Sequence, residues 1–153
     1  MVVEGRAEFV GSAESKALSA IAGAVHAPKA AVEFRAEIGA NNALAVNVRL
    51  PALSGRTPGE TADVIVAVTE DNLHSDVKRG ENAGRSFDHI AVVRALRPVL
   101  RVRPGQAGDV PIHTTLALDP AWKREQLHAV VFVQEEKSRR ILAASSLPLG
   151  TSH

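Results

Sequence analysis

Over most of its length the chain alternates apolar and polar residues with a period of two, the repeat of a half-buried β-strand. Val32, Phe34, Ala36 and Ile38 alternate with Glu33, Arg35 and Glu37, and Leu44, Val46, Val48 and Leu50 alternate with Ala45, Asn47 and Arg49. The connector Gly39-Ala-Asn-Asn-Ala43 has the composition of a hairpin loop. Setting Ile38 opposite Leu44 sets Glu33 opposite Arg49, so unlike charges face each other on the solvent side. Ala62 to Thr69 is apolar at both parities, as a central strand buried on both faces should be. Phe87 to Leu96 fits either period. Ile90, Val92, Val93 and the extended Arg97-Pro98 favour a strand over a buried helix. Ile112, Thr114, Leu116 and Leu118 mark another strand. His128–Gln134 and Ile141–Leu147 predict a closing hairpin across Glu135–Arg139.

The first stretch reads differently. Met1–Val3 and Ala7–Val10 predict a short hairpin around Glu4-Gly5. Ser12 is the expected N-cap of a helix over about 13–26 that stops before Pro28, with Ala17, Leu18, Ile21, Ala22 and Val25 at helical spacing. Its apolar face needs a packing partner. Asp119-Pro120 predicts a second, short helix through Leu127, with Pro at the first helical position. Ser54–Glu60 and Arg103–Asp109 are loops by composition.

These elements predict a mainly β chain: an antiparallel two-layer β-sandwich preceded by a β-hairpin and a helix. The expected organisation is a partial segment over 1–28, a sandwich domain over 29–149 and a loose tail over 150–153. The expected core holds Phe34, Val46, Val48, Val66, Ile90, Val92, Leu116 and Phe132.

Composition sharpens the chemistry more than the fold. A chain of 153 residues has the length for one domain with a real core. There is no cysteine, so this chain contains no disulfide, thiolate nucleophile, zinc–thiolate or iron–sulfur site. The net charge of +1 is too balanced to argue for nucleic acid or an anionic membrane. No apolar run approaches the ~18 residues of a membrane helix. Met1-Val-Val-Glu-Gly-Arg6 lacks the basic and apolar regions of a signal peptide, so the chain as written is expected to stay cytoplasmic.

The most concentrated polar block is Arg79-Gly-Glu-Asn-Ala-Gly-Arg-Ser-Phe-Asp-His89, followed by Ile-Ala-type apolar sequence to Arg94. Its candidate binding or structural residues are Glu81, Asn82, Arg85, His89 and Arg94. Gly80 to Gly84 has the make-up of an anion-binding nest but lacks the Gly-Lys-Ser/Thr ending of a phosphate loop, and its glycines more often serve positive φ. Asp88 and His89 are neighbours on a strand and point to opposite faces, which removes them as a catalytic pair. The six histidines show no metal-ligand spacing, leaving only a distant assembly such as His74, His89 and His113. Arg94, Arg97, Arg101 and Arg103 form a basic stripe, read either as an anion site or, more often, as the solvated edge of a sheet. On a strand, Arg94 shares a face with Ile90, Val92 and Leu96 and needs a carboxylate. Glu81, from its glycine-flanked loop, is the expected partner, ahead of Asp88.

Three stretches resemble a known family. Met1–Ser12 resembles the segment after the cis-proline of a thioredoxin fold. Arg79–Arg85 with His89–Arg94 resembles the second half of secreted bacterial thioredoxin-like proteins of unknown function, and Val130–Gln134 with Ile141–Ala144 is similar too. The resemblance implies a thioredoxin-like half before a β-rich half, and a periplasmic or secreted setting for the full-length family. The family's cysteine pair has no counterpart here, nor does its signal peptide. The expected function is a non-enzymatic structural or partner-binding domain, with no catalytic, cofactor or metal residues. Its partner is an unknown protein or a second copy, with no nucleic acid and no membrane. The alternative is a fragment of a thiol–disulfide redox protein whose cysteines lie outside this chain.

Overall fold

A computed structural model describes residues 1–26, 30–50, 52–53, 55–103 and 110–150. The expected turn over 104–109, the helix stop at Pro28, Ser54 of the first loop and the tail over 151–153 lie outside the described residues.

Two short strands, β1 (Val2–Val3) and β2 (Ala7–Glu8), lead into α1 (Glu14–Val25). The strands β3 (Glu33–Ile38), β4 (Ala43–Leu50), β5 (Ala62–Glu70), β6 (Leu73–Asp76), β7 (Ser86–His89), β8 (Val92–Val102), β9 (Val110–Ala117), β10 (Leu127–Glu135) and β11 (Ile141–Pro148) follow. They pair antiparallel into a four-stranded sheet, β11-β10-β5-β8, a three-stranded sheet, β3-β4-β9, and a two-stranded ribbon, β6-β7. The expected register of the first hairpin is the observed one: Ile38 faces Leu44 and Glu33 faces Arg49.

The two larger sheets close on one core, as two-layer packing requires. Leu44, Val46, Val48, Leu50, Ile112 and Leu116 come from one sheet, and Ala62, Val64, Val66, Val68, Val131 and Val133 from the other. Each buried valine or leucine stabilises by about 1.5–3 kcal/mol relative to an exposed one. The expected mainly β, antiparallel architecture is therefore what forms, with Val46, Val48, Val66 and Leu116 fully buried and Phe34 packed against the core.

Three expected core residues, Ile90, Val92 and Phe132, fall outside the core. Ile90 is 79% exposed. The run Phe87–Leu96 is not one strand but the end of β7 and the start of β8, which belong to different sheets. Ala91 breaks it: its φ is +55°, a left-handed conformation that no strand can pass through, and its N–H donates to Asp71 Oδ1 at 2.7 Å. Val92 is half-buried at the start of β8. Phe132 lies on the outer face of the four-stranded sheet, because Leu127, Ala129, Val131 and Val133 take the inward parity of β10 and Phe132 pairs with Ile65.

Two local expectations also change. Ser12 does not cap α1; Ala13 stands at the N-cap with no side-chain hydrogen bond. No α-helix follows Asp119. Its carboxylate accepts the Ala121 N–H at 2.9 Å and its carbonyl the Trp122 N–H at 3.1 Å, closing a turn before a single 3-10 turn at Arg124–Gln126.

α1 rests on the β1–β2 hairpin with Ala17 buried, while Leu18, Ile21 and Val25 stay exposed at 61%, 46% and 72%. The hairpin is tied to the sandwich through Gly5. Its φ is +70°, and a Cβ there would sit 2.2 Å from the Arg139 carbonyl oxygen in the β10–β11 turn.

Candidate functional site

The expected polar block does not assemble. Glu81 and Asn82 lie in the exposed turn that joins β6 to β7, and Arg85 is exposed where that turn ends. The turn is held by its own backbone: Ala83 N–H donates to Gly80 O at 3.0 Å, Gly84 N–H to Val77 O at 2.8 Å and Arg85 N–H to Asn82 O at 3.1 Å. Gly80 and Gly84 have φ of +90° and +80°, with open space where a Cβ would go, so they serve backbone conformation.

On the ribbon, the two histidines go separate ways. Asp88 faces His74, not His89, with His74 Nδ1 2.7 Å from Asp88 Oδ1 and Nε2 3.2 Å from Asp76 Oδ1. These bonds to Asp88 and then Asp76 hold His74 above its ordinary 6.5. Asp76 is held below its ordinary value by Ser86 and then by His74. His89 Nε2 instead meets Ser75 Oγ at 2.7 Å on the opposite face. His113 is on β9 beside Asn47, so the three histidines do not converge, and no metal-ligating group of three exists among the described residues.

Arg94 does meet a carboxylate, but it is Glu70, not Glu81. Glu70 closes β5, and its side chain is only 3% exposed. Its Oε1 accepts the Lys123 N–H at 3.1 Å, and its Oε2 lies 3.3 Å from Arg94 Nε. That second contact is an ion pair without hydrogen-bond alignment, since Oε2 has no hydrogen-bond donor. Trp122 supplies the other wall: the Arg94 guanidinium carbon stands 5.2 Å from its ring centre, a cation–π distance. Asp71 and His128 flank the cluster with an Oδ2–Nδ1 separation of 3.5 Å. The local fold places all of this. The five inward positions of β5 are 62, 64, 66, 68 and 70, so Glu70 enters the core at the sandwich end, where the 119–126 turns bring Trp122 and Lys123 over it.

The rest of the arginine stripe is already engaged. Arg101 clasps Asp63 through Nε at 2.8 Å and Nη2 at 3.2 Å, and Arg97 donates from Nη1 to Thr115 O at 2.9 Å. β8 is the edge strand expected of this stripe, with two irregularities in its pairing and Pro98 within it.

The opposite sandwich end holds a second polar centre that sequence reasoning missed. Glu135, 1% exposed, receives the Thr57 N–H on Oε1 at 2.6 Å, and the Thr57 and Ser138 hydroxyls on Oε2 at 2.9 and 2.6 Å. Glu60 receives the N–H groups of Lys137 and Ser138 on one oxygen, both at 2.6 Å. Burial alone would push the Glu135 carboxyl up. The hydrogen bonds of Ser138 and Thr57, helped by the Arg140 charge, more than offset this and hold it below its ordinary 4.5. The centre clamps the 55–61 loop to the β10–β11 turn.

Fold and sites together define an antiparallel β protein built on two packed sheets, with polar clusters at its ends and, among the described residues, one α-helix on a hairpin. The chain belongs to the family described as "Protein of unknown function (DUF1223)", whose model matches residues 1–134. Among solved structures it is similar to a domain of the outer membrane lipoprotein Omp28 from Porphyromonas gingivalis, at 18% identity and a TM-score of 0.51, over 77% of this chain and 85% of that one. At that identity the likeness shows the fold. No curated protein matches the chain. Neither the family nor the structural neighbour names a thioredoxin fold.

Proposed function

We propose that this chain is a non-enzymatic, partner-binding domain of a cell-envelope protein, and that its docking face is the outer side of α1. The carrying observation is that α1 buries only Ala17 and leaves Leu18, Ile21 and Val25 in water, with Val10 and Val2 of the hairpin also exposed. Burying an apolar side chain gains about 1.5–3 kcal/mol, and an amphipathic helix with its apolar stripe outward forgoes that gain until something covers it. A second copy of the chain is the simplest cover. The envelope setting is supported by the neighbour, which is an outer membrane lipoprotein. No helix among the described residues is long and apolar enough to cross a membrane. Light scattering over a concentration series tests the reading. The parent is expected to dimerise and the double variant Leu18→Ser, Ile21→Ser to remain monomeric. A strictly monomeric parent at high concentration refutes self-association through this face.

A second reading keeps the chain as part of a thiol–disulfide redox protein. It is favoured by the hairpin-then-helix order of residues 1–25, the order expected at the end of a thioredoxin-like half. The redox cysteines would have to lie outside this chain, which has none. A longer in-frame coding sequence carrying Cys-x-x-Cys supports it, and its absence from the full gene refutes it.

A further inference from the structure

The three arginines of β8 that the structure defines are used differently. Arg101 grips Asp63 with two nitrogens, and Arg97 bridges to the other sheet. Arg94 makes its shortest contact with Glu70 through Nε at 3.3 Å, without hydrogen-bond alignment, and among the described residues its guanidinium has no hydrogen-bonded acceptor. Yet the side chain is held on two sides, by the Trp122 ring at 5.2 Å and by a carboxylate that is itself buried and anchored to the Lys123 N–H. Its side chain is 33% exposed. A guanidinium whose function was only to neutralise Glu70 would turn its two-pronged edge to the carboxylate, because bidentate pairing is the stronger geometry. Here the guanidinium is stacked and charge-anchored, yet it forms no bidentate hydrogen-bonded pair with Glu70.

We infer that Arg94 is the receptor of a ligand-binding site, and that its open edge takes the carboxylate of a small organic acid or of a peptide terminus. A planar monoanion matches the fork, and pre-ordering of the arginine removes most of the entropy cost of gripping it. The neighbouring charges choose carboxylate over phosphate. Glu70 and Asp71 both stand at this sandwich end, and a dianion would be repelled by them where a monoanion is tolerated. The Trp122 face gives an apolar wall for the carbon skeleton behind the carboxylate.

Trp122 is the chain's single tryptophan, so its fluorescence reports this site alone. Titration with sodium butyrate at constant ionic strength, exchanged against chloride, is expected to give a saturable change. Inorganic phosphate is expected to give a weaker one. Arg94→Lys keeps the charge beside Glu70 but loses the fork, and should bind butyrate about tenfold or more weakly at a temperature where its own melt shows it folded. Arg101→Lys, on the same strand but already committed to Asp63, should titrate as the parent does. Superimposable butyrate and chloride curves overturn the site, as does an Arg94→Lys protein that binds butyrate normally. Phosphate binding tighter than butyrate overturns the carboxylate assignment. The free carboxylate and the peptide terminus are separated by repeating the titration with a short peptide and its amidated form. If the peptide binds no better than its amide while butyrate saturates, the ligand is a free acid.

Discussion

The Glu135 centre allows two substitutions at one atom group to be told apart. Glu135→Ala removes the acceptor of three hydrogen bonds and leaves the Thr57 N–H and two hydroxyls facing a cavity at a position only 1% exposed. Hydrogen bonds to a charged group are worth about 1.5–3 kcal/mol each and do not add fully, so a loss of about 3–5 kcal/mol is expected. For a chain of this size that is a fall in Tm of roughly 6–20 °C. Glu135→Gln is different. Its carbonyl oxygen can still accept the Thr57 N–H, and the Thr57 and Ser138 hydroxyls can rotate to accept from its amide, so only charge assistance is lost, about 1–2 kcal/mol. The pH profile supplies the second readout. The folded protein holds Glu135 below its ordinary 4.5, so its contribution is fully present above 4.5 and is lost as pH falls through the lower folded value. The parent should lose stability through that acid window, and Glu135→Gln should show a flatter profile there. Urea melts at neutral pH and across the acid range measure both. An alanine variant within 1 kcal/mol of the parent would refute the reasoning, since it would mean the donors find water at no cost.

Three further substitutions test the remaining contacts. Glu70→Gln should lower stability by about 1–3 kcal/mol, because a buried carboxylate contact to Arg94 is lost, whereas Glu81→Gln in the exposed ribbon turn should leave thermal melts unchanged; equal effects would put Arg94's partner back on the turn. Gly5→Ala places a Cβ against the Arg139 carbonyl in a left-handed residue, so trypsin should cut faster at Arg6 and Lys16 while the sandwich melt barely moves, and unchanged cleavage would show that the hairpin is not held there.

The sandwich was legible because its strands obey parity. Where one face is buried, a slip of one residue would turn every side chain over, so the alternation of Val32–Ile38 and Leu44–Leu50 specifies pairing as well as strand, down to Glu33 opposite Arg49. Legibility failed where parity is interrupted. Ala91 takes a positive φ that alanine does not advertise, imposed by Asp71 from twenty positions earlier, and that single residue sends Ile90 into water and splits an apolar run between two sheets. Phe132 shows a related failure: in Val130-Val-Phe-Val133 both parities are apolar, and which one faces inward depends on the partner strand β5, not on β10 itself.

The polar sites were hidden for the opposite reason. Sequence reading was drawn to the densest cluster of charges, Arg79 to His89, and density of charge is mostly a sign of solvation; that block became an exposed turn and ribbon. The carboxylates that matter are isolated ones standing at inward parity. Glu70 continues the series Ala62, Val64, Val66, Val68, and Glu135 continues Leu127, Ala129, Val131, Val133. A lone acid in the next inward slot of an apolar series must either end the strand or be supplied with donors, because an unpaired charge there is too costly. Both do end their strands: Glu70 is met by the Lys123 N–H and the Arg94 charge, both distant in the chain, and Glu135 by distant Thr57 and by Ser138 in the turn that follows its own strand. The signal for where to look was therefore present in each strand. The identity of the partners was not, because it depends on which loops the closed sandwich brings to each end. Arg94, on a strand among apolar neighbours, needs a carboxylate, but that Glu70 and Trp122 are the groups beside it depends on how the closed sandwich brings β5 and the 119–126 turns together.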